Sequence, residues 1–122
     1  MSRVLVIEDD ISIRQLLTTS LRDEGFDVSE ASEGSAALNV LQHWSPDVIL
    51  LDMKMPGMDG WEFLRVYRQR HMPQVPIIVV TASTDAAARA AEVGIGICIA
   101  KPFDLDTLIE LVASEAKQAH AN

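Results

Sequence analysis

The sequence predicts a doubly wound α/β domain: a five-stranded parallel sheet with helices on both faces. Short apolar runs rich in β-branched residues recur along the chain, and segments of helical period lie between them, so β and α alternate five times. The runs are continuous rather than alternating in polarity, which marks parallel strands covered on both sides. With right-handed crossovers, such a sheet binds ligands beyond the carboxyl ends of its strands, at the switch point in strand order.

Each element has its own signal. Val4 to Ile7 reads as the first strand, and Asp10 is placed to cap a helix from about Ile11 to Glu24. Ile13, Leu16, Leu17 and Leu21 form its stripe, with Gly25 just past its end. A weak strand at Phe26 to Val28 precedes a helix faced by Ala36, Ala37, Val40 and Leu41, which Ser45-Pro46 ends. Val48 to Leu51 is the third strand; after Asp59-Gly60, Phe63, Leu64 and Tyr67 carry the third helix. Ile77 to Val80 is the fourth strand. The alanine-rich helix after it, from about Asp85 to Val93, has a thin stripe and Gly94 at its end. Ile95 to Ile99 reads as the fifth strand, and Asp104 caps a last helix built on Leu105, Leu108, Ile109 and Val112. One domain is expected over residues 1–122, with a core of about 3–116 and a short polar tail at 117–122.

Composition narrows the functions. At 122 residues, the chain has room for one proper core. A content of 48% hydrophobic and 23% charged residues fits a folded soluble domain. Eighteen acidic against ten basic residues give a net charge of −8, a poor footprint for nucleic acid or an anionic membrane surface. Without an apolar run long enough for a membrane span, and with the single Cys98 ruling out an intrachain disulfide, a cytoplasmic setting is expected.

The strand ends carry the chemistry. The first strand runs into Glu8-Asp9-Asp10, the third into Asp52, the fourth into Thr81 and the fifth into Lys101-Pro102. Carboxylates of Glu8, Asp9 and Asp52 about 5 Å apart would repel by about 3 kcal/mol per pair at an effective dielectric near 20, so the cluster needs a cation. Hard oxygen donors suit Mg²⁺, which Mn²⁺ could replace. Lys101 would stand as a fixed ammonium on the far side, with the Thr81 hydroxyl between. Such a set suits an incoming phosphoryl group with a carboxylate oxygen placed to attack it. The Pro-Gly and Asp-Gly turns between Asp52 and Gly60 let the chain curl back and offer the Lys54 carbonyl to the metal.

Together, Val-Leu-Val-Ile-Glu8-Asp9-Asp10, Asp52 with the following Met-Pro-Gly-Met-Asp-Gly, Thr81-Ala82 and Lys101-Pro102-Phe103 resemble the receiver domain of two-component response regulators over about residues 3–115. The resemblance implies a flavodoxin-like sheet of order 2-1-3-4-5. It implies Asp52 as phosphoacceptor, Glu8 and Asp9 as the acidic pair, and Asp9, Asp52 and the Lys54 carbonyl around Mg²⁺. It further implies Thr81, the Ala82 N–H and Lys101 on the phosphoryl oxygens, a cis Lys101-Pro102 bond, and a tuning role in dephosphorylation for Lys54 and Ser83. The phosphodonor would be a histidine kinase or a histidine phosphotransfer protein, the output a downstream protein target, and the catalysis confined to the domain's own phosphorylation and dephosphorylation. Cys98 departs from the family, which generally has Tyr or Phe at this switch position. Gly94-Ile95-Gly96-Ile97 replaces the usual acidic pair, leaving an apolar surface there.

Two alternatives compete with this reading. A haloacid-dehalogenase-type phosphatase would carry a second aspartate where Lys54 stands, and a phosphorylation-independent binding domain would fit Cys98. Ile11 and Ile13 project about 200° apart on a helix, so one lies exposed beside the acids as docking surface for the phosphodonor. Arg65, Arg68 and Arg70 read as a solvated face of the third helix, Met53, Met55 and Met58 as loop packing, and Cys98 as a small buried hydrophobe. His43, His71 and His120 have no ligand spacing.

Overall fold

The computed structural model describes residues 2–70, 74–82, 84–92, 94–95 and 97–121. Expectations for Ser83, His71, Val93 and Gly96 fall outside that set. The elements follow in the order β1 (Arg3–Ile7), α1 (Ile11–Asp23), β2 (Asp27–Ala31), α2 (Gly34–Leu41), β3 (Val48–Asp52), α3 (Gly60–Gln69), β4 (Ile77–Thr81), α4 (Thr84–Glu92), β5 (Cys98–Ala100) and α5 (Leu105–Ala121). The strands are parallel and run β2-β1-β3-β4-β5 across the sheet.

The continuous apolar runs follow from burial on two sides. Successive side chains of a strand point to opposite faces. Val4 and Val6 of β1 therefore join Leu50, Ile78 and Val80 under Leu17 and Leu21 of α1 and Leu108 and Val112 of α5. Leu5 and Ile7 join Ile49, Leu51 and Val79 under Leu38 of α2, Phe63, Leu64 and Tyr67 of α3 and Ala90 of α4. On this second side the Phe63 and Tyr67 rings stack 5.7 Å apart, and the Tyr67 hydroxyl accepts the Val75 N–H at 3.0 Å.

The edges differ from the sequence expectation. β2 pairs only with β1 and spans Asp27–Ala31 rather than Phe26 to Val28. With one neighbour its pattern is half polar: Val28 and Ala31 are buried and Glu30 is exposed. The opposite edge, β5, has three residues, Cys98–Ala100, rather than the five from Ile95. Ile95 instead donates its N–H to Ala90 O at the end of α4 and is buried, so it adds no apolar surface between α4 and β5. The polar stretch expected as a tail is helical through Ala121, as the last turns of α5.

Asp10 caps α1 where the sequence places it, and Asp59 of the turn before α3 caps that helix in the same way. Asp10 accepts the Ile13 N–H at 3.0 Å and Asp59 accepts that of Glu62 at 2.9 Å. Gly60, first in α3, donates its N–H to Met53 O at 3.1 Å, and a Cβ there would lie 2.6 Å from Met53 Cα. Gly60→Ala should therefore destabilise the fold by about 1–3 kcal/mol through overpacking, although alanine is the better helix former. Urea unfolding compared with wild type measures this, and an unchanged midpoint would refute the close contact.

Candidate functional site

Strand order places the switch point between β1 and β3, whose chains leave toward opposite edges of the sheet. Ile7 pairs with Leu51, so Glu8 and Asp52 follow on adjacent strands at the same rim. Glu8 is anchored further by its N–H, which donates to Ala31 O at 3.0 Å. Asp52 and Thr81 are the last residues of β3 and β4, one position beyond the apolar runs that announce those strands. Lys101 arrives beside them because its N–H donates to Thr81 O at 2.9 Å. The Lys101-Pro102 bond is cis, as the resemblance implied.

These residues enclose a cavity of about 690 Å³, lined by Glu8, Asp9, Asp10, Asp52, Lys54, Thr81, Ala82 and Lys101, with Ile13, Met53, Met55, Asp59 and Trp61 completing its walls. One carboxylate oxygen from each of Glu8, Asp9 and Asp52 lies within 4.8 Å of the others. Glu8, Asp52 and Thr81 are buried, whereas Asp9 is exposed. Hard oxygen donors at this spacing suit a divalent cation.

Lys101 sits inside the cluster rather than across from it: its Nζ lies 2.8 Å from Glu8 Oε1 and 3.6 Å from Asp52 Oδ2. Burial, reinforced by the Asp52 carboxylate, raises the Glu8 pKa to about 8 against the pull of Lys101. Asp9 is raised by the same two causes. Burial alone would lower Lys101, but the bond to Glu8 and the charges of Asp52 and Glu8 outweigh it and keep the ammonium charged.

The loop after β3 closes the site. Asp52 Oδ1 accepts the Lys54 N–H at 3.2 Å, which turns the chain over the acids, and Gly57 takes a positive φ of 69° that few other residues tolerate. Met53 and Met55 are buried in the core beneath it, as loop packing predicts. Cys98 opens β5 opposite Val79, half-buried, and burial pushes its thiol pKa up, so it packs as a small apolar group.

Sequence reasoning missed Arg14. Its Nη1 donates to Glu8 O at 2.9 Å and to Asp9 O at 3.5 Å, while its Nε lies 3.4 Å from Glu30. The acidic segment is thus held by its backbone from α1. No sequence signal singled it out, since α1 carries two basic residues, Arg14 and Arg22.

Among known proteins, the response regulator receiver domain model matches residues 4–113. The DNA-binding transcriptional regulator NtrC of Escherichia coli K12 is 40% identical over 111 residues, which cover 89% of this chain and 24% of that protein. The chain spans a quarter to a half of the length of the curated relatives it matches. The receiver domain of the Francisella response regulator 1452 superposes with a TM-score of 0.87 at 32% identity, covering 97% of this chain and 98% of that one. TrrA of Thermotoga maritima, solved in complex with Mg²⁺-BeF, gives 0.82 at 31% identity over 93% and 98% of the two chains.

The raised Glu8 pKa fixes a sign for pH dependence. Between about 4.5 and about 8 the unfolded chain loses a proton that folded Glu8 retains, so the metal-free fold loses stability as pH rises through that window. Asp9 acts in the same sense. Urea midpoints measured across this range should fall with pH in the wild type and flatten in Glu8→Gln; parallel slopes would refute the assignment.

Proposed function

The chain belongs to the response regulator receiver family of two-component systems, and from that membership we propose that Asp52 is its phosphoacceptor. The observation that carries this reading is the single buried carboxylate at the end of β3, ringed by Glu8, Asp9, Thr81 and Lys101 in one cavity. An Asp52 carboxylate oxygen attacks the phosphorus of a phosphohistidine; the P–N bond breaks, the acyl phosphate forms, and the freed imidazole of the donor takes up a proton. Water later cleaves the acyl phosphate to inorganic phosphate and restores the carboxylate.

The neighbours have separable tasks. Asp9, Asp52 and the Lys54 carbonyl would hold Mg²⁺, with Mn²⁺ able to replace it and Glu8 behind them at the buried end. When bound, the metal neutralises negative charge on the phosphoryl oxygens. The Lys101 ammonium, already positioned by Glu8 and Asp52, moves its partnership to a phosphoryl oxygen. The Thr81 hydroxyl and the Ala82 N–H receive the remaining oxygens. No turnover of outside substrates is required, and the phosphorylated state acts as a population shift read by a protein partner.

The phosphodonor is a histidine kinase or histidine phosphotransfer protein, met on α1. Ile11 is 58% exposed, and Ile13, half-buried, lines the cavity, so the two residues border the acids from outside and inside. The surroundings fit cytoplasmic signalling: no described helix is long and apolar enough to cross a membrane. Net charge −8 favours protein over nucleic acid as the contact of this domain.

Incubation with acetyl phosphate and Mg²⁺ should add about 80 Da by intact mass, the increment of one phosphoryl group, to the wild type and nothing to Asp52→Asn. Modification of Asp52→Asn, or a requirement for neither metal nor Asp52, would overturn the assignment. Ile11→Ala should slow transfer from a histidine donor by about tenfold, the equivalent of one interface contact, and leave labelling by acetyl phosphate unchanged. Equal slowing with both donors would place the residue in the chemistry rather than in docking.

A further inference from the structure

Beside the phosphoacceptor cavity, α3 and α4 enclose a second groove of about 430 Å³. Trp61, Arg65 and Arg68 of α3 repeat at i, i+4 and i+7 and so share one face. Arg89 reaches across from α4, its guanidinium carbon 4.2 Å from the centre of the Trp61 ring. Leu64, 3% exposed, closes the floor. Composition alone makes these arginines a solvated face; Arg89 and the half-buried Trp61 turn that face into a concave site.

Charge says what would occupy it. The chain carries eighteen acids against ten basic residues, yet three arginines line this one groove. Against them stand two acidic members, Asp59, which caps α3 by accepting the Glu62 N–H, and Glu62, which lies 3.9 Å from Arg65, so the lining keeps a small positive excess on a strongly negative protein. An acidic partner is repelled over most of the surface and meets the opposite sign here, which selects one orientation of approach. Guanidinium forks pair with carboxylates bidentately, and tryptophan and arginine are among the residues enriched at interface hot spots. The stack on Trp61 also holds Arg89 in place before a partner arrives.

We propose that the α3–α4 groove docks an acidic, amphipathic segment of a partner protein, with its carboxylates on Arg65, Arg68 and Arg89 and an apolar side chain against Trp61 and Leu64. The contact does not depend on phosphorylation of Asp52, so it can be tested on the unmodified protein.

The probe is a short fluorescein-labelled peptide of glutamates with interspersed leucines, titrated into the intact protein by anisotropy and followed by ¹⁵N NMR. Saturable binding is expected, with shifts centred on the Trp61 indole and on Arg65, Arg68 and Arg89, and with affinity falling as salt rises. The pair Arg65→Glu and Arg68→Glu, which leaves the Arg89–Trp61 stack in place, should weaken binding by at least about tenfold while the far-UV spectrum stays that of the folded protein. Arg89→Glu should weaken it independently. The proposal fails if binding is not saturable, if the shifts fall elsewhere, or if the variants bind as tightly as wild type. It also fails if a single-stranded oligonucleotide binds the groove more tightly than the peptide. Sedimentation supplies the last arm: self-association lost in the variants would make the occupant a second copy and overturn the proposal.

Discussion

Three carboxylates within 4.8 Å of one another, two of them buried, are a standing cost to the fold, and much of the architecture answers to it. Lys101 offsets part of the cost through an ion pair to Glu8 and a longer approach to Asp52, and Arg14 grips the backbone of the acidic segment. The remainder is carried by the sheet. β1 and β3 are apolar on both faces and pinned from both sides, so the strand ends cannot spread to relieve the repulsion. Sites held in such opposition are where natural proteins give up stability for function.

How much of this was readable from sequence depended on how many sides of an element are covered. β1, β3 and β4 are central strands with both faces buried, and their unbroken apolar runs announced them. Asp52 and Thr81 stood out because each is a polar residue closing such a run. β2 and β5 lie at the edges, where a single neighbour relaxes the demand for apolar side chains, so their limits were misplaced. Ile95 misled for a related reason: an apolar residue next to a strand can be core without belonging to the sheet.

Side chains whose role exists only in three dimensions left no pattern. Arg14 acts on carbonyls that precede its own helix, and nothing in residue spacing marks that geometry. Lys101 was correctly placed at the rim, but its ion pair with Glu8 joins residues 93 positions apart. Arg65 and Arg68 acquired meaning only when Arg89 was found on the facing helix, joined to α3 through a tryptophan.

The sheet is also a bulkhead. Among the described residues, apolar side chains of the α1–α5 layer and those of the α2–α3–α4 layer belong to two separate clusters with no shared member. Distant sites without shared partners combine additively, so substitutions in one layer leave the energetics of the other nearly untouched. Away from the rim, where Ile13 and Trp61 meet in one cavity, a lineage carrying this fold can therefore repack one layer of helices while the other keeps its own.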